Sequence, residues 1–241
     1  MYLKFIKRPS RFAYLSLFFM SSFYISTAQA TTWSENADAG DLINTAQIPI
    51  GSTTPGSLTA ITGVISTSHD ADLYKIHVDD TSIFAVSVSG GEGPNGWDST
   101  LALFDINGLG VYQNDDRAEG VADSFLPSNH ALGPSAPRIY YLAIFDDDSG
   151  ALSGSTIDDL IFPIAGFPFT DVVGPTGNGG GSPLSQWGFP ATEFPIDGHY
   201  NIALTGASFV PAVPEPETYA MLLAGLGMLG AIARRRKNHT R

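Results

Sequence analysis

Short runs of β-branched and aromatic residues alternate with clusters of Gly, Pro, Asn and Asp throughout residues 31–210, which we call the body. No stretch of about ten residues in the body has the 3.6-residue apolar period of an amphipathic helix. Several short strands joined by turn-rich loops are typical of a β-sandwich or a jelly roll. The sequence therefore predicts a single all-β domain of this kind. Its clearest predicted strands are residues 58–66, 72–78, 83–89, 101–105, 139–145 and 200–205.

The region from residue 149 to residue 186 is less regular than the rest of the body. Its glycine-rich stretch at residues 174–181 has little apolar surface with which to order itself. We expect this stretch to be a mobile loop.

The body combines a strong negative charge with an absence of sulfur. It has three basic residues against 22 acidic residues, a charge of −19, within a chain whose formal charge is −12. Nucleic-acid binding needs a clustered basic face, so the composition argues against a nucleic-acid partner. The chain has no cysteine, which excludes disulfides, thiolate nucleophiles and cysteine-ligated metal centres.

Residues 1–30 have the features of a secretory signal peptide. Four basic residues precede an apolar segment at residues 12–25, and the small residues Ala28 and Ala30 occupy the −3 and −1 positions of a cleavage site. We expect export through the Sec translocon and cleavage by signal peptidase after Ala30. The alternative is an uncleaved membrane anchor, although the apolar run is shorter than the ~20 residues that a span needs.

A second apolar segment, residues 219–233, precedes a basic tail at residues 234–241. Its 15 residues would form a helix of roughly 22 Å, against a hydrocarbon core of about 30 Å. The helix is therefore only marginally long enough to span, and we predict a short transmembrane helix. By the positive-inside rule, the basic cluster stays in the cytoplasm and leaves the acidic body outside. This cluster consists of Arg234, Arg235, Arg236 and Lys237.

The residues that precede this helix, Val213-Pro214-Glu215-Pro216, complete a recognisable tail over residues 211–241. The combination of motif, short helix and basic end resembles a PEP-CTERM sorting signal. The resemblance implies a Gram-negative producer of exopolysaccharide and processing by an exosortase in the inner membrane. That enzyme would recognise Pro214, Glu215 and Pro216 as an address and release the body from its anchor. The alternative is a permanent anchor with a proline-rich spacer.

Several segments of the body resemble a second family. They are Trp33-Ser-Glu-Asn-Ala-Asp-Ala-Gly-Asp41, Asp70-Ala-Asp-Leu-Tyr74, Trp97-Asp-Ser-Thr-Leu-Ala-Leu-Phe-Asp-Ile-Asn-Gly108, Val111-Tyr-Gln-Asn-Asp-Asp116 and residues 198–206. Their order is similar to that of the bacterial pre-peptidase C-terminal domain, a small β-sandwich found in secreted proteins. The insertion at residues 151–194 departs from that compact domain.

Acidic residues in these segments admit two interpretations. Hard oxygen ligands suit Ca²⁺, and the resemblance implies calcium binding in some members of the family. The candidate ligands are Asp70, Asp72, Asp98, Asp105, Asn107, Asp115 and Asp116. The alternative is turn chemistry, since Asp105-Ile-Asn-Gly108 supplies the residues that a hairpin needs. The run Asp146-Asp-Asp148 admits the same two interpretations, and we favour a solvated loop.

Catalytic motifs are absent from the sequence. It contains no Gly-x-Ser-x-Gly elbow, no His-Glu-x-x-His, no phosphate-binding loop and no dinucleotide fingerprint. His69 and Asp70 are neighbours, and adjacent side chains on a turn point in different directions. The tryptophans Trp33, Trp97 and Trp187 and the tyrosines could stack on sugar rings, or could pack in the core.

The sequence therefore predicts an exported, non-enzymatic protein of the cell surface or extracellular matrix, associated with exopolysaccharide or biofilm. Its precursor would be anchored in the inner membrane until processing. Calcium is the one cofactor suggested. The alternatives are a carbohydrate-binding module and a secreted hydrolase that uses two of its acids.

Overall fold

Strands form almost all the regular structure of the body. The computed structural model describes residues 31–51, 56–91, 93, 97–163, 166, 168–211, 223–226 and 228–229. In this part of the chain the strands are β1 Thr31–Ser34, β2 Leu58–Thr67, β3 Ala71–Val78, β4 Ala85–Ser89, β5 Ser99–Asp105, β6 Gly110–Asn114, β7 Phe125–Leu126, β8 Arg138–Asp146, β9 Gly150–Leu152, β10 Gln186–Gly188, β11 Pro195–Thr205 and β12 Ala207–Ser208. A 3-10 helix, Ile157–Asp159, lies between β9 and β10.

The six predicted strands are confirmed as β2, β3, β4, β5, β8 and β11. Each has enough β-branched or aromatic residues in succession to be recognised without its partner. Most of the strands that sequence reasoning did not identify contain two to four residues. Such short strands depend on the neighbour with which they pair, and the local sequence does not specify that neighbour.

Two five-stranded sheets pack face to face, as a β-sandwich requires. One sheet has the order β1-β2-β11-β4-β7 and the other has the order β12-β3-β8-β5-β6. The core between them takes Ile61, Val88 and Ile202 from the first sheet, and Tyr74 and Leu142 from the second. The predicted all-β class is therefore confirmed.

A second core covers the outer face of the second sheet. Along β5, Leu101 and Leu103 belong to the core between the sheets, whereas Ala102 and Phe104 belong to the outer one. The insertion supplies the other half of the outer core, including Phe162 and Trp187. The insertion is therefore a packed layer, and its β9 and β10 pair with each other.

The glycine-rich stretch at residues 174–181 is held by backbone hydrogen bonds. The N–H of Gly177 donates to the carbonyl of Ile161 at 3.1 Å, and the N–H of Gly179 donates to the carbonyl of Leu160 at 2.8 Å. A Cβ at Gly179 would collide with the carbonyl of Asp159, so this approach needs glycine. The expected mobile loop was wrong, because backbone hydrogen bonds order the stretch in place of apolar side chains.

Both predicted targeting segments fall largely outside the described residues. Ala28, Ala30, Pro214, Glu215, Pro216 and the basic cluster at residues 234–237 all lie there. Residues 223–226 and 228–229 are helical. Among the described residues, no helix has both the length and the apolar character needed to cross a membrane.

Candidate functional site

Acidic residues gather at one end of the second sheet. Both β3 and β5 pair antiparallel with β8, so the starts of β3 and β5 lie beside the end of β8. Asp70 precedes β3, Asp98 precedes β5, and Asp146 ends β8. Adjacent strands are about 4.8 Å apart, so the acids of β3 and β5 form two groups about 10 Å from each other.

The first acidic cluster comprises Glu35, Asp38, Asp41, Asp70 and Asp72. Carboxylate oxygens of Glu35, Asp38 and Asp72 lie within 4.8 Å of one another. The same holds for Asp38, Asp41 and Asp70. Asp38 belongs to both groups and therefore links them.

Backbone hydrogen bonds position the side chain of Glu35 in this cluster. One carboxylate oxygen accepts from the N–H of Ala39 at 3.0 Å, and the other accepts from the N–H of Val64 on β2 at 2.9 Å. Asp38 accepts from the N–H of Gly40, whose φ of +75° favours glycine. The turn after β1 is thus folded so that its acids meet the start of β3.

Asp72 is the buried member of the first cluster. Its side chain is 0% exposed, and its Oδ2 accepts a hydrogen bond from the hydroxyl of Tyr200, which lies 2.6 Å from the hydroxyl of Tyr74. Its Oδ1 has no hydrogen-bond partner. Burial, reinforced by the charges of Glu35 and Asp70, raises the pKa of Asp72 to about 9, against the lowering effect of the Tyr200 hydrogen bond.

The second acidic cluster comprises Asp98, Asp115, Asp116, Asp146, Asp147 and Asp148. Carboxylate oxygens of Asp98, Asp115 and Asp116 lie within 4.8 Å of one another, as do those of Asp146, which ends β8, and the next two residues, Asp147 and Asp148. The N–H of Asp147 donates to the carbonyl of Asp98 at 3.0 Å and joins the two groups.

The surroundings of the second cluster also disfavour the charged form of its carboxyl groups. Burial, with the charge of Asp147 next in size, raises the pKa of Asp98 to about 8. Burial likewise raises the pKa of Asp147 to about 7, and that of Asp115 to about 6 in spite of a hydrogen bond from Thr100. Asp98 Oδ1 and Asp146 Oδ2 are buried without a hydrogen-bond partner.

A cleft of about 320 Å³ opens beside the second cluster. Asp115, which follows β6, lines one side of the cleft, and the insertion contributes Pro163, Pro168 and Phe169. Phe169 is 66% exposed, and its carbonyl accepts from the N–H of Asp116 at 3.0 Å. This hydrogen bond holds the exposed ring next to the acids.

The basic residues of the body do not neutralise either cluster. Arg117 pairs with Asp123 at 2.9 Å, and Arg138 lies 3.8 Å from Asp105. Lys75 lies over the ring of Tyr141, 5.8 Å from its centroid. These are all the lysine and arginine side chains between residues 31 and 210, so the body has no lysine or arginine to spare for these acids.

Asp105 and Asn107 lie apart from the other predicted ligands, at the turn of the β5–β6 hairpin. Asp105 Oδ1 accepts from the N–H groups of Asn107 and Leu109 at 2.8 and 3.0 Å. Gly108 has a φ of +81°. The hairpin interpretation of this segment is confirmed. The structure brings Asp70 and Asp72 to the first cluster, and Asp98, Asp115 and Asp116 to the second.

Sequence reasoning missed several members of both clusters. Glu35, Asp38 and Asp41 were noticed only as part of a motif, although their spacing before a glycine-containing turn was a usable signal. The prediction of a solvated loop after β8 was wrong for Asp146, which is 1% exposed. Its position at the end of a long apolar strand could have indicated burial.

The aromatic and histidine candidates have structural roles. Trp97 and Trp187 are 1% and 6% exposed, so neither offers a face to a sugar. Trp33 is half-buried, and its Nε1 donates to Gln47. His69 stacks on Phe189, with Nε2 2.7 Å from the carbonyl of Pro190, and does not bond to Asp70.

Fold and site together define an all-β protein of two stacked sheets with two carboxylate clusters that lack an internal counter-ion. Residues 212–237 match the family of the PEP-CTERM protein-sorting motif. This match confirms the predicted sorting signal and indicates export, a membrane-anchored precursor and sorting to the cell surface by an exosortase system. No curated protein and no solved structure matches the chain. The likeness of the body to the pre-peptidase C-terminal domain stays a prediction.

Proposed function

We propose that the chain is a non-enzymatic surface protein, delivered by exosortase, whose exported body binds Ca²⁺ at the first acidic cluster. The sorting motif at residues 212–237 supports the delivery. The carboxyl group of Asp72 carries the proposal for calcium. It is fully buried, it lies within 4.8 Å of two other carboxylates, and one of its oxygens has no hydrogen-bond partner.

The donor set of the first cluster fits Ca²⁺ better than other common cations. Ca²⁺ takes six to eight oxygen ligands in a flexible geometry, and five carboxylates supply oxygens only. Zn²⁺ favours nitrogen and sulfur ligands, and Mg²⁺ demands a near-ideal octahedron. A bound cation would also displace the proton of Asp72, so that a carboxyl that is neutral without metal becomes a charged ligand.

Thermal melting of the full chain in nonionic detergent tests this proposal. We expect Ca²⁺ at 100 times its Kd to stabilise the fold by about 2.7 kcal/mol relative to chelator, and Mg²⁺ to do less. Asp72→Asn should abolish the response at the first cluster. Asp158→Asn, at an exposed acid of the 3-10 helix, is the matched control and should keep it. Identical melts in Ca²⁺ and in chelator would reject the proposal.

The association with extracellular polysaccharide that the sorting signal implies is part of the same proposal. Purified chain, incubated with the polymer of the producing cell, should sediment with it and leave the polymer intact. Shortening of the polymer during the incubation would favour the secreted hydrolase instead. Paired carboxylates with raised pKa values at the cleft are the groups that such an enzyme would use.

Saccharide binding at the cleft is a second candidate function, and the exposed ring of Phe169 favours it. An aromatic face beside hydrogen-bonding carboxylates is the arrangement with which a sugar ring can stack and bond. Of the tryptophans that the sequence suggested for this role, Trp97 and Trp187 are buried and Trp33 is half-buried. Binding to defined saccharides on a glycan array, lost in Phe169→Ala and kept in Phe189→Ala, would support it. No binding to any saccharide would remove it.

A further inference from the structure

Three chain segments that are distant in sequence meet at the second acidic cluster. Asp98 precedes β5, Asp115 follows β6, and Asp146 ends β8. The antiparallel pairing of β5 with both neighbours places these three ends together. None of these residues belongs to the first cluster, which adjoins β3.

The carboxylates of the second cluster are held close by bonds that leave their oxygens available. The hydroxyl of Thr100 donates to one oxygen of Asp115 at 2.8 Å. The side-chain amide of Asn114 donates to the carbonyl of Asp116, and its Oδ1 accepts from the N–H of Phe125. These bonds fix the backbone that carries Asp115 and Asp116 without neutralising either carboxylate.

Asp146 supplies an independent sign that a ligand is missing. Its side chain is 1% exposed, its Oδ2 has no hydrogen-bond partner, and its carboxylate lies within 4.8 Å of those of Asp147 and Asp148. A buried carboxylate oxygen without a partner is costly, and a bound cation removes that cost. Asp98 Oδ1, on the neighbouring strand, is buried without a partner too.

We propose that the second acidic cluster is a separate Ca²⁺ site, held by Asp98, Asp115 and Asp116 together with the acids at residues 146–148, and open toward the cleft. Oxygen is the only ligand type offered, and the number of carboxylates suits a cation that takes six to eight oxygens. Asp115, Asp147 and Asp148 line the cleft, so coordination positions not filled by protein face solvent there. The insertion forms the opposite wall of the cleft, so its role would be to enclose the Ca²⁺ site.

Calorimetric titration of the full chain with CaCl₂ in nonionic detergent tests the site by stoichiometry. The native chain should bind two Ca²⁺, and Asp116→Asn should bind one. Asp116 is partly exposed, so this variant should keep the native circular dichroism spectrum. Asp98→Asn is a second variant at the same site and should also bind one. Asp158→Asn is the control and should bind two.

The variants separate this proposal from the one at the first cluster. If Asp72→Asn binds one Ca²⁺ and the double variant Asp72→Asn/Asp116→Asn binds none, both sites are supported. If Asp72→Asn leaves the stoichiometry unchanged while Asp116→Asn lowers it by one, only the first site fails. If Asp116→Asn and Asp98→Asn both bind as many Ca²⁺ as the native chain, the second site is overturned.

Discussion

Replacing Asp72 with asparagine should stabilise the metal-free protein while it removes the proposed calcium site. Without metal, the unfolded chain releases the Asp72 proton above about pH 3.8, whereas the folded chain keeps it up to about pH 9. Between these values the folded state binds more protons, so its stability falls as pH rises. An asparagine has no proton to keep, and its amide can replace the carboxyl oxygen that lacks a partner.

The size of the effect follows from the shift in pKa. Each unit of separation between pH and the unfolded pKa costs about 1.4 kcal/mol while Asp72 stays protonated in the fold. At pH 7 that is about 4 kcal/mol, and at pH 5 it is about 1.6 kcal/mol. Asparagine should recover up to these amounts. At about 2–4 °C per kcal/mol for a body of this size, the upper limit at pH 7 is a Tm increase of about 8–16 °C.

The assay is thermal melting by circular dichroism in chelator at pH 5, 6, 7 and 8, for the native chain, Asp72→Asn and Asp158→Asn. The difference between Asp72→Asn and the native chain should grow with pH, and Asp158→Asn should follow the native chain. In Ca²⁺ at 100 times its Kd, the native chain should gain about 2.7 kcal/mol at the first cluster and Asp72→Asn should not, so the difference should shrink at pH 7 and change sign at pH 5. A variant that melts below the native chain by the same amount at every pH would refute the reasoning, because the loss would then reflect altered packing around Tyr200.

The remaining predictions concern the calcium affinity of the first cluster, the turn at Gly108 and processing by exosortase. Calcium affinity at the first cluster should rise from pH 6 to pH 8, by up to about tenfold per unit for one displaced proton; calorimetry that shows no pH dependence would contradict a protonated Asp72. Gly108→Ala should destabilise the fold by about 1–2 kcal/mol in urea unfolding, because the φ of Gly108 is +81° and a Cβ there would lie 3.3 Å from Ile43. Unchanged stability would contradict the left-handed turn. Glu215→Ala should block release of the body by exosortase, whereas the neighbouring Glu217→Ala should not; intact mass of the cell-bound and released protein distinguishes these outcomes.

Local patterns were sufficient to predict the main strands but not the insertion. Strands such as β3 and β8 can be recognised from their successive β-branched and aromatic residues. The packing of residues 151–194 depends on an apolar face of β5 and β8 that lies on the opposite side from the sandwich core. A strand buried on both faces reads as a continuous apolar run, so the sequence showed burial without showing which segment covers it.

Which acidic residues belong to a cluster could not be predicted from the sequence. All are Asp or Glu in turn-rich segments, and composition alone cannot separate a ligand from a turn residue. Membership in the first cluster depends on the parallel pairing of β1 with β2, which brings Glu35 near Val64. Because β1 is only four residues long, its partner could not be identified in advance.

The hairpin of β5 and β6 makes this distinction within a single element. Its closed end carries Asp105 and Asn107, and there the chain reverses, so backbone N–H groups lie within reach of the Asp105 carboxylate and satisfy it. Its open end carries Asp98 and Asp115, where antiparallel pairing places two carboxylates side by side, and the nearby N–H groups of Asp116 and Asp147 donate to backbone carbonyls. A proton or an external cation can relieve the repulsion at the open end, where burial raises the pKa values of Asp98 and Asp115. Aspartate is therefore a turn former at the closed end of the hairpin and a candidate calcium ligand at the open end. Its role depends on whether the chain reverses at that end and brings backbone N–H groups to the carboxylate.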